Sequence, residues 1–274
     1  MSIPTDFIFS QNSIQTYLDC PRRFELMFLL RQSWPAPVTE PNLEFEKHLK
    51  LGERFHLLVQ QYLAGIPEKL IEGSIVDPDL SRWWKNYFRL APQFPPEQCF
   101  CEFYQSIPFL EFRLSAKYDL LVIQDKYQMT IIDWKTIRKR WSASSLKKRI
   151  QTSVYPLVAY EAHLQKNNRD YFFPENIKMI YWFPEFPSES ETIHFTNQLY
   201  EDVKEHLTKI IREISRQSIG NYCLTDYVKR CTYCNYRSLC NRGVQAASWA
   251  DEIENEIYDE NYNAEPSVET SMIH

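Results

Sequence analysis

The sequence predicts one α/β domain, a mixed central sheet flanked by helices, with further helices added on the N-terminal side. Three observations lead there. Helical patterns fill the chain up to residue 90, β-like segments crowd into residues 98–134, and a helix followed by another apolar strand then returns the chain to the sheet. That last order is the one a crossover connection produces.

The elements follow in order. Ser10 suits the cap of a helix through Leu18, and Pro21 suits the first turn of a second one, RRFELMFLL. A long helix is expected from Asn42 to Ala64, where Phe55, Leu58, Val59 and Tyr62 share one face and Gly65 and Pro67 end it. A short helix covers 79–90, and Pro92, Pro95 and Pro96 break the chain before four expected strands at 98–106, 109–114, 117–124 and 128–134. A helix over 144–165, strands at 177–183 and 191–195, and a helix over 197–216 complete the body. The chain contains no internal repeat.

Composition narrows the function classes. The 274 residues are 44% hydrophobic and 24% charged, enough for one large core. Seventeen Phe, seventeen Tyr and seven Trp against five Gly make that core aromatic and leave too few glycines for a P-loop or a dinucleotide-binding loop. No apolar stretch approaches the roughly 20 residues of a membrane helix, and MSIPTDFIFS lacks a basic region followed by an apolar run. A soluble, cytoplasmic protein without a membrane partner is expected. The net charge of -5 is unevenly placed: residues 249–274 hold eight acidic groups and no Lys or Arg, so residues 1–248 carry 31 basic and 28 acidic groups. The expected division is a single domain over 1–248 and an acidic, disordered tail over 249–274.

The first chemistry lies in a hairpin. LSAKYDLLVI and MTIIDWKT flank Asp125, Lys126 and Tyr127, and Asp119 and Asp133 are each seven residues from Lys126. A hairpin symmetric about that residue sets the two carboxylates opposite each other, and the period of two adds Lys135 to the same face. Unneutralised like charges across a ladder destabilise it, so a divalent cation suits the pair. With a lysine to orient or deprotonate water, this is the equipment of phosphodiester hydrolysis. A surface salt bridge from Lys135 to either Asp is the plainer alternative.

Asp119 followed by Asp133-Trp134-Lys135 resembles the Asp…(Asp/Glu)-x-Lys signature of the PD-(D/E)XK nuclease superfamily, and IIDWKT is similar to the strand of its RecB-like branch. LGERFHLLVQQYL places His56 where that branch has a metal-ligating histidine, and QTSVY supplies Gln151 and Tyr155 for its Gln-x-x-x-Tyr helix. The resemblance implies a restriction-endonuclease-like core in which Asp119, Asp133, His56 and the Trp134 carbonyl hold Mg2+ or Mn2+. It further implies that Lys135 activates or positions water while Gln151 and Tyr155 orient the substrate phosphate. Ala116 stands where the family often has Gly, and Trp134 where Tyr is frequent, but neither change removes a catalytic side chain.

Seven cysteines without a secretory signal argue for metal or buried thiols. Cys231, Cys234 and Cys240 form C-x2-C-x5-C, and a tetrahedral site needs a fourth ligand. YLDCPRRFEL paired with CTYCNYRSLC resembles the iron-sulfur staple of AddB-type nuclease domains and CRISPR-associated Cas-four exonucleases. That resemblance implies a 4Fe-4S cluster on Cys20, Cys231, Cys234 and Cys240, joining the two ends of the domain. Four thiolates suit zinc equally well by spacing alone. Cys99, Cys101 and Cys223 read as small apolar residues.

Between Lys135 and Arg149 lie Arg138, Lys139, Arg140, Lys147, Lys148 and Arg149, without an acidic residue and with Trp141 among them. This is a phosphate-binding composition beside the presumed catalytic lysine. The resemblance to RecB-like nucleases implies a Mg2+- or Mn2+-dependent deoxyribonuclease, an exonuclease on single strands or DNA ends, serving repair, recombination or CRISPR adaptation beside a helicase or adaptation partner. The alternative is a nucleic-acid-binding or assembly subunit that keeps the fold and the cluster without catalysis.

Overall fold

The computed structural model of the protein describes residues 2–32, 41–124, 127–166, 172–231 and 234–243. The hairpin tip at Asp125 and Lys126 and the expected acidic tail lie outside the described residues. Ser10 closes a short strand, β1 (Ile8–Ser10), and caps α1 (Gln11–Asp19) in a reciprocal box with Ser13. Pro21 opens α2 (Pro21–Phe24), which widens into a π-helical turn over Glu25–Leu29. Next come α3 (Pro41–Leu63), α4 (Glu68–Gly73) and α5 (Pro78–Leu90), the last capped by the Asp77 carboxylate.

Three antiparallel strands follow, β2 (Cys99–Phe109), β3 (Phe112–Gln124) and β4 (Gln128–Trp134). The chain continues through α6 (Ala143–Lys148), α7 (Ile150–Lys166), β5 (Ile177–Trp182), β6 (Glu191–His194) and α8 (Asn197–Arg216). Two 3-10 turns, Val228–Cys231 and Arg237–Cys240, lie near the end of the described chain.

The six strands form one mixed sheet in the order β1-β3-β4-β5-β6, with β2 on the opposite edge of β3. β1 is parallel to β3 at residues 113–115, while β4 is antiparallel to it at 120–124. One edge of β3 therefore changes partner between Ser115 and Leu120, and Asp119 sits in that gap. β4 and β5 are parallel, joined by α6 and α7, and β6 returns antiparallel. The expected mixed sheet flanked by helices is present.

Each face of the sheet carries its own core. One packs β3, β4 and β5 against α1, α7 and α8 through residues such as Tyr118, Ile131, Val158 and Leu207. The other packs Leu120, Val122, Ile132 and Trp182 against α3, α4 and α5, where Phe55, Trp83, Trp84 and Tyr87 form an aromatic block. α3 approaches the sheet so closely that it needs Gly52. A Cβ there would press into the Thr136 hydroxyl, and interior helical glycine otherwise costs about 1 kcal/mol relative to alanine.

Three expectations about elements are corrected. The segments 109–114 and 117–124 are one long strand, because the chain turns at Leu110–Glu111 and the β2–β3 ladder runs from Phe109↔Phe112 to Cys99↔Val122. The helix expected over 144–165 is two, broken where Arg149 adopts an extended backbone. β1 and α4 carry too few residues for a periodicity to announce them.

Candidate active site

The β3–β4 register pairs Gln124 with Gln128 and Leu120 with Ile132, a hairpin centred on residue 126. Continued by one step, it sets Asp119 opposite Asp133, as the spacing predicts. The ladder on the other side does something the spacing did not foretell. β2 pairs Cys101 with Leu120 and Phe103 with Tyr118, leaving Glu102 beside Asp119 as an unpaired step, and Glu102 has φ 51, in the left-handed region. The strands change face at this step. Phe112, Leu114, Ala116 and Tyr118 belong to the α7-side core, whereas Leu120 and Val122 belong to the α3-side core. Asp119 is thus carried at a kink, where it can reach helices on both sides.

Its partners follow from that position. On the α3 side, Asp119 Oδ1 lies 3.4 Å from His56 Nδ1, and the His56 Nε2 lies 3.1 Å from the Trp134 carbonyl. Asp119 Oδ2 accepts the Trp134 amide at 2.8 Å. On the α7 side, Asp133 is buried, its Oδ2 2.6 Å from Lys135 Nζ, and its Oδ1 accepts the Gln151 amide. Gln151 Oε1 in turn accepts from Lys135 Nζ at 2.9 Å. Tyr155, one turn beyond Gln151 on α7, lines the same cleft as His56, Glu102, Lys117 and Asp119, a depression of about 580 Å³. The structure thus brings together Asp119, Asp133, Lys135, His56, Gln151, Tyr155 and the Trp134 carbonyl.

The charges are set unequally. Burial pushes the Asp133 carboxyl above the usual range, because the neighbouring Asp119 adds to that effect and Lys135 only partly offsets it. Burial acts on Asp119 as well, but His56, Lys135 and the Trp134 amide outweigh it and hold this carboxyl below the usual range. Burial opposes charge on His56, yet Asp119 and then Asp133 raise it above its ordinary value. Asp119 and His56 each favour the charged form of the other, while the second carboxyl is held by the lysine.

Among the described residues, one group of three metal-ligand side chains has its donor atoms within 4.8 Å of one another: His56, Glu102 and Asp119. Imidazole nitrogen with carboxylate oxygens, beside a backbone carbonyl, fits a hard divalent ion. Glu102 is the residue that sequence reasoning missed, and Lys117 Nζ lies 2.5 Å from its Oε2. Glu102 and Asp119 are equally distant from the turn at Leu110–Glu111, but the strand expected over 109–114 runs through that turn and hides the pairing.

The basic run divides. Arg140 is bound up with Glu189 at 3.4 Å and Glu191 at 3.5 Å, so its charge is spent within the protein. The Arg149 guanidinium lies 3.9 Å over the Trp141 ring. Arg138, Lys139, Lys147 and Lys148 are exposed. Burial pushes the Cys234 and Cys240 thiols up, and the neighbouring cysteines, Cys20 and Cys231 among them, add to it. No three of these four cysteines, among the described residues, bring sulfurs within 4.8 Å of one another.

No helix of the described residues is long and apolar enough to cross a membrane. No curated protein matches the chain. Among solved structures, a candidate exonuclease from Eubacterium rectale is similar at 11% identity and TM-score 0.46, covering 89% of this chain and 92% of that one. The protein SSO0001 is similar at 13% identity and TM-score 0.40, covering 87% of each. The family model of the PD-(D/E)XK nuclease superfamily matches residues 8–95 and 78–241, a span that holds every contact of the cleft. The chain belongs to the PD-(D/E)XK nuclease superfamily.

Proposed function

We propose that the protein is a metal-dependent deoxyribonuclease of the RecB-like branch, acting as an exonuclease on single-stranded DNA or DNA ends. The observation that carries this reading is the convergence of Asp119, Asp133, Lys135 and His56 at one gap in the sheet. His56, Asp119, Glu102 and the Trp134 carbonyl would hold Mg2+ or Mn2+, with Asp133 adjoining. When bound, the ion supplies Lewis-acid polarisation of a phosphoryl oxygen and a more acidic water. Asp133 fixes the Lys135 ammonium through a direct ion pair, and Gln151 ties both groups to α7. Lys135 then positions the attacking water and balances charge on the phosphorane-like transition state. Tyr155 and Gln151 orient the phosphate, and Arg138, Lys139, Lys147 and Lys148 attract the strand.

The finer kinship, with AddB-type domains and Cas-four exonucleases, rests on the cysteine pattern and the order of His56, Asp119, Asp133, Lys135, Gln151 and Tyr155. In this reading Cys20, Cys231, Cys234 and Cys240 hold a 4Fe-4S cluster, whose thiolates stand further apart than those on a single zinc ion. Repair, recombination or CRISPR adaptation, beside a helicase or adaptation partner, is the process this kinship implies. The test is cleavage of end-labelled single and double strands by anaerobically prepared protein with Mn2+, with Mg2+ and with chelator. Cleavage that needs the ion and is lost in Asp119→Asn supports the reading. DNA binding without cleavage under every condition overturns it in favour of a non-catalytic subunit.

A further inference from the structure

α3 does more than supply His56. His48, Gly52 and His56 recur every four residues, so they form one stripe along the helix. All three meet the same three-residue segment at the end of β4. The His48 Nε2 lies 2.6 Å from the Thr136 carbonyl, and the His56 Nε2 lies 3.1 Å from the Trp134 carbonyl. A carbonyl only accepts, so both imidazoles donate from Nε2. Between them, Gly52 faces the Thr136 side chain at a distance that leaves no room for a methyl group at the hydroxyl, although Thr136 Cβ would stand 3.5 Å from it. Lys135 lies between the two clamped carbonyls, and its own amide is taken by the Trp182 carbonyl at 2.9 Å.

We propose that this stripe positions the active site: His48 and Gly52 act through Thr136 to fix the backbone of residues 134–136, and so aim the Trp134 carbonyl and the Lys135 side chain. His48 and Gly52 are positioning residues, not ligands. β4 ends at Trp134, the Lys135 amide makes one last bond to the Trp182 carbonyl of β5, and past it the ladder no longer dictates the path. The helix takes over that task with two hydrogen bonds and one close contact. Interior helical glycine weakens a helix, which is a poor choice unless the approach it permits matters. The consequence for the metal rests on the function proposed above, whereas the consequence for the backbone does not.

Two readouts keep these apart. Amide hydrogen exchange at Trp134 and Lys135 in metal-free protein reads the backbone, and Mn2+ titration reads the site. Gly52→Ala should stay folded by circular dichroism yet exchange faster at both amides, and should bind Mn2+ about tenfold more weakly, the scale on which groups supporting ligands act. Adding Thr136→Ala removes the obstructing hydroxyl and should restore both readouts. His48→Leu should behave like Gly52→Ala, and His48→Gln, which still donates, should not. Unchanged exchange in Gly52→Ala, or a double variant as impaired as the single one, overturns the proposal. Altered exchange with unaltered Mn2+ affinity overturns its consequence for the site. Wild-type protein that takes up no Mn2+ overturns the proposed function instead, while the exchange experiment still decides the positioning role.

Discussion

Asp133 has the most enclosed carboxylate of the cleft, and its neighbours dictate what replacing it does. It is buried between Lys135 and Gln151, so Asp133→Asn removes the partner of a half-buried ammonium, and Lys135→Met leaves a buried carboxylate without its cation. Each of these, and Asp119→Asn, should cut cleavage about 10²- to 10⁴-fold, the range in which single positioned acid, base or electrostatic groups act. Circular dichroism and DNA affinity should change little, and full activity in any two would overturn the roles. Glu102→Gln should weaken Mn2+ at least about tenfold, because it removes one of three donor side chains, and unchanged Mn2+ binding would release Glu102 from the site. The pH response follows from His56, whose imidazole is raised above its ordinary value of 6.5 and must lose its proton to bind a metal. Mn2+ affinity should therefore climb as pH rises from 6.5 through the raised value and level off above it, with proton release in calorimetry across buffers of different ionisation enthalpy. A flat profile over that window would place His56 outside the coordination sphere. Asp119, Asp133 and Lys135 were legible because a period of two and a symmetric hairpin are arithmetic. Glu102 was not, because its role depends on a kink with left-handed backbone that no residue preference announces, glutamate being no turn former.

The elements that frame the cleft show where periodicity reads well and where it fails. α3, α5 and α8 are long and one-sided, so their bounds fall within a residue or two of those expected from the sequence. β3 was cut at Ser115–Ala116, where two small residues interrupt the apolar pattern, while the real turn at Leu110–Glu111 lay inside the expected strand 109–114. The break between α6 and α7 has no glycine or proline to mark it; Ser142 caps α6 and the chain simply extends at Arg149. That break matters for the substrate, since it turns α6 so that Lys147 and Lys148 lie exposed while Arg149 stacks on Trp141. Reversing Lys147, Lys148 and Arg149 to Glu should weaken DNA binding for every sequence. The slope of log affinity against log salt should flatten by up to about 2 to 3, near 0.7 to 0.9 for each lost phosphate contact. Arg140→Glu should alter the slope less, because Glu189 and Glu191 already neutralise that side chain. An unchanged slope in the triple variant would place these residues on an idle face.

Across the whole molecule, the two ends of the described chain are held against each other, and this is a property of the fold apart from any metal. Arg230 donates to the carbonyls of Leu18 at 3.0 Å and Asp19 at 2.9 Å, and the Arg22 amide donates to the Cys223 carbonyl at 2.9 Å. The buried Glu25 carboxylate joins Arg22 and the Gly220 amide, and the Tyr236 hydroxyl donates to the Gln32 carbonyl. Cys20 stands at the joint of α1 and α2 within this seam, and the Arg242 guanidinium donates to the Cys231 sulfur at 3.1 Å. A cluster on Cys20, Cys231, Cys234 and Cys240 would close a loop of some 210 residues, removing about 5 kcal/mol of unfolded-state entropy on the scale of long cross-links. The seam and the cluster are separable by mutation. Arg230→Met should lower stability by about 0.5 to 1.5 kcal/mol, the net worth of an intramolecular hydrogen bond outside the core, and keep its metal. Cys20→Ala should lose iron, solubility and cleavage together, although Cys20 is far in sequence from the carboxylates. Anaerobically isolated wild-type protein should be brown and contain about four irons per chain. Stoichiometric zinc without iron in that preparation would replace the cluster by a zinc site, and a Cys20→Ala protein that keeps both its metal and its stability would show that the ends are joined by hydrogen bonds and ion pairs alone.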